Sequence, residues 1–436
     1  MRQPHSIGAA SAEEEVGYRT VVAGLALGQI LAWAVLYYGF SSFVLPMMRE
    51  LAWTKATLMG GFTVALLTWA LASFAVGAAI DRGHGRRVLT GGAVVGALGC
   101  LLWATVRAPW MLYASMLLLG VAMAMTLYEP AFNELIKRYP TRYREAITTL
   151  TLVGGFASTL SFPAVAALVH ALGWRGALLV LAALLALVVA PFHAWLLRGG
   201  RKGVAVHPLD EPADTTLQGA LRTPAFWQLA CAFTVLAFIG PGLWAHMLPV
   251  LQTKGLSQAQ AVAVLVWIGP AQVLGRLAYA WVGRRLSLHR LGVVVMLAMP
   301  LALLLLAAGD RMATLLLFAV VFGLGNGLAT IVRGSLLPSY FGRSNVGRIG
   351  AAISMQALLA QAAAPVGIAG LLVVLGSYSA VLLLLATAGL VGAGVFARAR
   401  PPSSPPGPAQ RRNSSRITSF SRRIWKRVRK LLPSRI

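Results

Sequence analysis

Twelve apolar runs of about twenty residues, parted by short charged turns, constrain this chain more than any other feature of its sequence. A helix rises about 1.5 Å per residue, so a run of that length spans the roughly 30 Å hydrocarbon core of a bilayer. Spans are expected at about 19–40, 56–80, 88–107, 110–136, 146–170, 175–197, 225–250, 258–282, 290–308, 313–337, 347–372 and 377–398. Closed strands are excluded, because the runs are too long and do not alternate. Hydrophobic residues make up 58% of the chain and charged ones 11%, against about 25% charged in soluble domains. The expected fold class is therefore an all-α polytopic membrane protein.

Charge placement sets the expected orientation. The loops after spans 2, 4, 6, 8 and 10 carry sixteen Lys and Arg, and the odd-numbered loops carry six. Basic residues concentrate on the cytoplasmic side, so both termini are expected there, in the plasma (inner) membrane of a bacterium. The first run is long and follows Glu13-Glu14-Glu15, which reads as a retained span and not a cleaved signal. The net charge of +26 does not point to nucleic acid, because the stretch from Arg398 onward supplies twelve of those charges and the rest lie mostly in short loops. Cys100 and Cys231 sit in apolar sequence, without metal-ligand spacing, and read as small core residues.

The longest internal connection, near 198–224, contains Gly199-Gly200, Pro208 and Pro212 and divides the spans six and six. The expected organisation is a cytoplasmic segment 1–18, a six-helix bundle 19–197, the central loop 198–224, a second bundle 225–398 and a basic tail 399–436. The bundles echo each other. Gly77-x-x-x-Asp81-x-x-x-Gly85-Arg86-Arg87 returns as Gly275-x-x-x-Tyr279-x-x-x-Gly283-Arg284-Arg285, and Thr126-x-x-Glu129 returns as Thr330-x-x-Arg333. Parallel six-helix repeats describe a transporter whose site lies between the halves.

On these residues the chain resembles the major facilitator superfamily of secondary transporters. Gly77, Asp81, Arg82, Gly85, Arg86 and Arg87 stand where that family carries its signature between helices 2 and 3. Trp53-Thr54-Lys55 is similar to a Trp-Ser-Arg element of a monocarboxylate-porter-like bacterial branch. Two departures qualify the likeness. The Gly-Pro-rich helix-5 element of multidrug antiporters is not evident in Gly154–Thr159. The Asp and Arg of monocarboxylate porters in helix 8 are missing, with Trp267 and Ala271 near those places. The run Tyr128-Glu129-Pro130-Ala131-Phe132 resembles poorly characterised members, some tied to arsenical efflux.

The resemblance implies gating by the signature turn. Its glycines let helix ends approach closely, and Asp81 is expected to accept bonds from a neighbouring helix N-terminus or to pair with Arg. Glu129, the sole acid away from the ends of a span, and Arg333, its repeat partner, read as functional. Counted from Trp110, Glu129 lies about 28 Å down its helix, in the inner third. Three readings stay open: an ion-pair gate, an Arg333 substrate anchor with Glu129 as proton carrier, or a fixed pair joining helices. Gln29, Trp33, Asn326, Gln356, Gln361 and Trp244 are the candidate substrate contacts. Trp33, Tyr37, Tyr38 and Trp244 are candidates for aromatic walls, with an aromatic belt at the outer interface the favoured reading for Tyr37 and Tyr38. His246, near the outer mouth, has no partner identifiable in the sequence.

No cofactor, metal site or ATP-binding signature is expected, and an enzyme is disfavoured. The expected partners are a small-molecule substrate and membrane lipids, with anionic lipids drawn to an amphipathic basic helix over Ile417–Leu431. A monomer is expected. The resulting expectation is a proton-coupled transporter of a small organic, anionic solute working by alternating access. Efflux of a toxic compound such as an arsenical or drug, and a non-transporting sensor of the same fold, are the alternatives.

Overall fold

The computed structural model describes residues 5–198, 214–281 and 286–402. The part of the central loop holding Pro208 and Pro212, the Gly283-Arg284-Arg285 echo and the tail beyond 402 lie outside the described residues. The structure is 87% helical. Its apolar runs are α1 (Gly17–Leu51), α2 (Lys55–Asp81), α3 (Gly85–Ala104), α4 (Pro109–Arg138), a 54-residue stretch Tyr143–Leu196, α7 (Pro224–Thr253), α8 (Gln258–Trp281), α9 (Leu288–Ala308), α10 (Met312–Phe341), α11 (Val346–Leu375) and α12 (Tyr378–Arg398). At about 1.5 Å per residue the 54-residue stretch is far too long for one crossing. Gly173, with φ 68° and ψ 170°, turns it into α5 (143–172) and α6 (174–196), because only glycine adopts that conformation cheaply. Among the described residues twelve helices of membrane-spanning length result, as the run lengths predict. The main departure is α1, whose helix runs past 40 to Leu51 and begins in the structure at His5.

Local chemistry sets the helix ends. Thr54, Thr223, Ser257 and Ser287 each cap a first turn through a side-chain oxygen, and Ser257 closes a reciprocal capping box with Gln260. Pro109 and Pro224 occupy first-turn positions, where the missing N–H costs nothing. Inside α4 the helix breaks at Leu127, with Pro130 just beyond. Proline leaves the Thr126 carbonyl without its helical donor. Gln29 of α1 fills that vacancy, its Nε2 donating to Thr126 O at 2.7 Å.

Two seams join the bundles, α2 against α11 and α5 against α8 and α10. One apolar core at the end carrying the central loop mixes residues of both halves, including Leu25, Phe132 and Ile147 with Phe226, Ile331 and Ile349. Towards the opposite end the halves have largely their own cores, with Leu358 of α11 reaching into that of the first half. One centres on Phe43, Trp103 and Leu119, the other on Leu251, Phe318 and Leu306. Each half also clamps its own far end. Arg175 pairs with Glu50 at 3.0 Å and donates to the Ala104 and Val106 carbonyls, while Lys254 donates to Ala307 O. The halves are thus fused at the loop end and diverge towards the far end, where Leu358 and the Gln361–Tyr37 bond still bridge them. Cys100 is buried, but Cys231 is exposed on α7 and is no core residue.

Candidate functional site

The gap between the bundles holds a cavity of about 650 Å³. Its first-half wall is aromatic, and an irregular turn builds it. Residues Ala34–Tyr38 of α1 are π-helical, and the wider turn brings residues four and five apart onto one face. Trp33 therefore meets both Tyr37 and Tyr38, with ring centroids 5.3 and 5.7 Å away, and it also meets Trp69 at 6.1 Å and Tyr128 at 5.0 Å. All five rings line the cavity. The belt assignment for Tyr37 and Tyr38 is corrected: they face the space between the halves. Sequence spacing assumes a regular helix and so misses this face.

The second-half wall carries Trp244, Gln272, Arg276, Asn326 and Gln361. Of the candidate substrate contacts, Trp33, Trp244, Asn326 and Gln361 line the cavity. Gln361 crosses the gap to donate to the Tyr37 hydroxyl at 3.3 Å. Gln29 and Gln356 do not line it. Gln29 is fully buried and spent on the α4 break. His246, for which the sequence offers no partner, lies 3.0 Å from Pro365 O through Nε2 and 3.4 Å from the Tyr378 hydroxyl through Nδ1.

The residue the sequence reading passes over is Arg276. It is 5% exposed, stands on α8 beyond Ala271 and spends Nε on the Gly327 carbonyl at 3.3 Å. Among the described residues no carboxylate pairs with it. Its terminal nitrogens make no protein hydrogen bond, yet they are not sealed off in the interior. The phenols of Tyr38 and Tyr128 are near enough to feel its charge. Gly155 of α5 is the other half's neighbour here, and a Cβ at that position would collide with Arg276 Nη1. Span 8 does carry a cation, then, although not at the places the resemblance implies. The available signal was that Arg276 is the one charged residue in 258–281.

Towards the loop end the cavity closes in two layers. Glu129 of α4 and Arg333 of α10 meet at 3.0 Å, with side chains 27% and 31% exposed. Arg333 Nη2 is within ion-pair distance but misaligned for a hydrogen bond, and Nε has no partner either. Below this pair lies the signature turn. Asp81 is held on three sides: Oδ1 and Oδ2 accept the Gly347 and Arg348 N–H groups at 3.0 and 2.9 Å, and Lys137 Nζ sits 2.8 Å from Oδ1. A carboxylate at the first N–H groups of α11 is favoured by both hydrogen bonding and the helix dipole. Lys137 also donates to the Asp81 and Ser344 carbonyls at 3.1 and 3.0 Å.

Gly77 permits this approach, since a Cβ there would collide with Gly347 O, and Gly85 makes room for the Glu134 carboxylate. Of the two expected partners for Asp81, the helix N-terminus is present, but the cation is Lys137 and not a signature arginine. Arg82 and Arg86 instead donate to the Ala78 and Ala194 carbonyls, and Arg87 is exposed.

Comparison with known proteins accords with this architecture. A stretch of 28% identity to Monocarboxylate transporter 13 of Rattus norvegicus covers 62% of this chain and 63% of that protein. One of 31% identity to Monocarboxylate transporter 11 of Mus musculus covers 47% and 46%. The match therefore spans less than two thirds of either relative. An MFS-type efflux pump of Mycolicibacterium smegmatis is 27% identical over 63% of this chain and 66% of its own length. Among solved structures, the human organic anion transporter MFSD10 superposes with a TM-score of 0.68 at 17% identity, covering 87% of this chain and 99% of that one. The transporter FucP in its outward conformation gives 0.71 at 12% identity, covering 88% and 99%. At these identities the structures share the fold alone. Residues 25–365 match the sequence profile of the Major Facilitator Superfamily, and the chain belongs to that superfamily of multi-pass membrane transporters.

Proposed function

We propose that this transporter carries a small organic anion of the monocarboxylate class through the central cavity by alternating access, driven by the proton gradient. One observation carries the reading: Arg276 is a buried cation with no carboxylate partner among the described residues, facing a cavity between the two halves. An unpaired buried charge costs several kcal/mol, and an incoming carboxylate would relieve that cost. The aromatic wall opposite suits an apolar body attached to that carboxylate. The printed names of Monocarboxylate transporters 13 and 11 agree with this substrate class.

The loop face is the cytoplasmic one in this reading, from the bias of basic residues, so the structure corresponds to an outward-facing state. Glu129 is the proton carrier. Its protonation would release Arg333, loosening the inner layer so that the halves rock. Efflux is the second reading, because of the likeness to an efflux pump. It uses the same cavity in the opposite direction. The anionic-lipid role of the tail belongs to this proposal as well.

The test is uptake into proteoliposomes under an imposed pH gradient, across a panel of monocarboxylates and their neutral amides. Acids are expected to be carried at least tenfold faster than the amides, and Arg276→Gln should erase that preference. Amides carried as fast as acids would overturn the anion reading. No gradient-dependent flux of any solute would leave the sensor alternative standing.

A further inference from the structure

Just after the undescribed part of the central loop, Asp214 makes a contact that neither the signature turn nor the cavity explains. Its Oδ1 accepts the N–H groups of Arg343 and Ser344 at 2.7 and 3.0 Å, and its Oδ2 accepts the Ser344 hydroxyl. The neighbours reinforce it. Thr215 donates its N–H to Phe341 O at 3.0 Å, and Asn345 Nδ2 donates to Thr215 O at 3.1 Å. The turn between α10 and α11 is shaped to receive the carboxylate. Gly342 has φ 75° and ψ −173°, and a Cβ there would run into Asp214. A residue other than glycine would therefore be both strained and obstructed.

This turn is the one the latch grips from the other side. Ser344, whose N–H and hydroxyl go to Asp214, offers its carbonyl to Lys137 at 3.0 Å, and Gly347 and Arg348 are bonded to Asp81. One short stretch, 342–348, is thus held between two carboxylates. The Asp81 and Lys137 bonds join the first half to the second, so they must break when the loop end opens. The Asp214 bonds do not, because Asp214 leads through the Thr216-capped turn Leu217–Leu221 directly into α7 and moves with the second half.

We infer that Asp214 is a positioning residue of the inner gate: it holds the turn between α10 and α11 in the one shape that presents the Ser344 carbonyl to Lys137. The end of the central loop is thereby part of the gate's receiving half. Loss of the carboxylate leaves two backbone N–H groups to water at the protein surface, a small cost to folding. It also lets Ser344 swing away from Lys137, and the closed state is destabilised relative to the open one.

The test reads gate opening without any substrate, so its failure leaves the anion reading untouched. In a background with Cys100 and Cys231 replaced by Ser, Ala351→Cys reports opening. Ala351 is 7% exposed, lines the cavity and lies one turn beyond Gly347. A membrane-impermeant maleimide is applied to sealed vesicles, and the orientation in which Arg82→Cys labels fastest defines the loop face. From that face Asp214→Ala is expected to raise the labelling rate about tenfold, the scale of a modest shift in a two-state equilibrium. Asp214→Asn should fall between, since one acceptor oxygen remains. With Lys137→Ala already present, Asp214→Ala should add less than about twofold, because the two act through one contact. Labelling at the parent rate in Asp214→Ala overturns the inference. So does an undiminished tenfold increase in the Lys137→Ala background. If Asp214→Ala fails to accumulate, Asp214→Asn with and without Lys137→Ala decides on the same terms.

Discussion

Two ion pairs stand at the seam between the halves, and they are built for different work: Lys137–Asp81 lies within the first half and reaches across through bonds to the α11 end, whereas Glu129–Arg333 itself spans the seam. Lys137–Asp81 is nearly sealed, with side chains 8% and 4% exposed, and both partners are further tied to backbone groups. Glu129–Arg333 is about a third exposed, opens onto the cavity and leaves Arg333 donors without hydrogen bonds. Parting the halves would leave the sealed pair intact but strip from it the Gly347, Arg348 and Ser344 backbone groups, and hydrogen bonds to charged, desolvated groups are costly to lose. A wetter, looser pair is cheap to separate and accessible to protons or a ligand. In the proposed cycle the Asp81 contacts would therefore serve as a latch, and the upper pair as a switch that the cavity's contents bias.

The sharpest way to break this distinction is Asp81→Asn. The substitution keeps an acceptor for one α11 N–H but removes the charge from the bonds across the seam, weakening the closed state by about 1.5–3 kcal/mol. Transport in reconstituted vesicles is expected to fall at least tenfold, with faster linker-side labelling at Ala351→Cys. Normal turnover and labelling would reduce the turn to a topology signal.

Glu129→Gln should act on a different quantity. A pair this exposed is worth about 1 kcal/mol, so the fold and the closed state are expected to survive. What should go is coupling: gradient-driven uptake falls several-fold while energy-independent exchange stays within about twofold of the parent. Equal loss of both would make the upper pair a second latch. Reversing the pair, Glu129→Arg with Arg333→Glu, should recover part of the exchange rate lost in either single reversal if the attraction between them is what matters.

The difference between the pairs also marks what a sequence can disclose. Twelve crossings were legible because apolar length is a one-dimensional property and the bilayer imposes it. Asp81 was legible because an acid at a helix end needs donors, and the start of a neighbouring helix supplies them. Facing was not legible. Tyr37 and Tyr38 turn inward through a π-helical step that no regular spacing anticipates. Gln29 turns away because Pro130, a hundred residues on, leaves a carbonyl for it to satisfy. Arg276 escaped for a related reason. Five residues from the end of α8, its chain position matches that of any basic residue reaching for the interface, and only the fold shows it bent into the cavity. Lys137 likewise looks like one more topology charge until α4 is laid beside α2.

The smallest effect is expected where the repeat places the opposite number of Asp81. Tyr279 is 7% exposed near the end of α8, which meets α5 across the other seam in a much smaller contact than that of α2 with α11. A phenol has one oxygen and no charge, so it cannot span two N–H groups and a lysine as Asp81 does. Tyr279→Phe removes a single hydroxyl and keeps the ring that fills the shared core, at a cost of about 1 kcal/mol. Transport is expected to change by less than about twofold, with labelling at Ala351→Cys unaltered. If Tyr279→Phe instead costs as much as Asp81→Asn, the second half holds a latch of equal strength. The inner gate would then be symmetric, and the division of labour between sealed and open pairs would have to be sought along the transport path and not between the two seams.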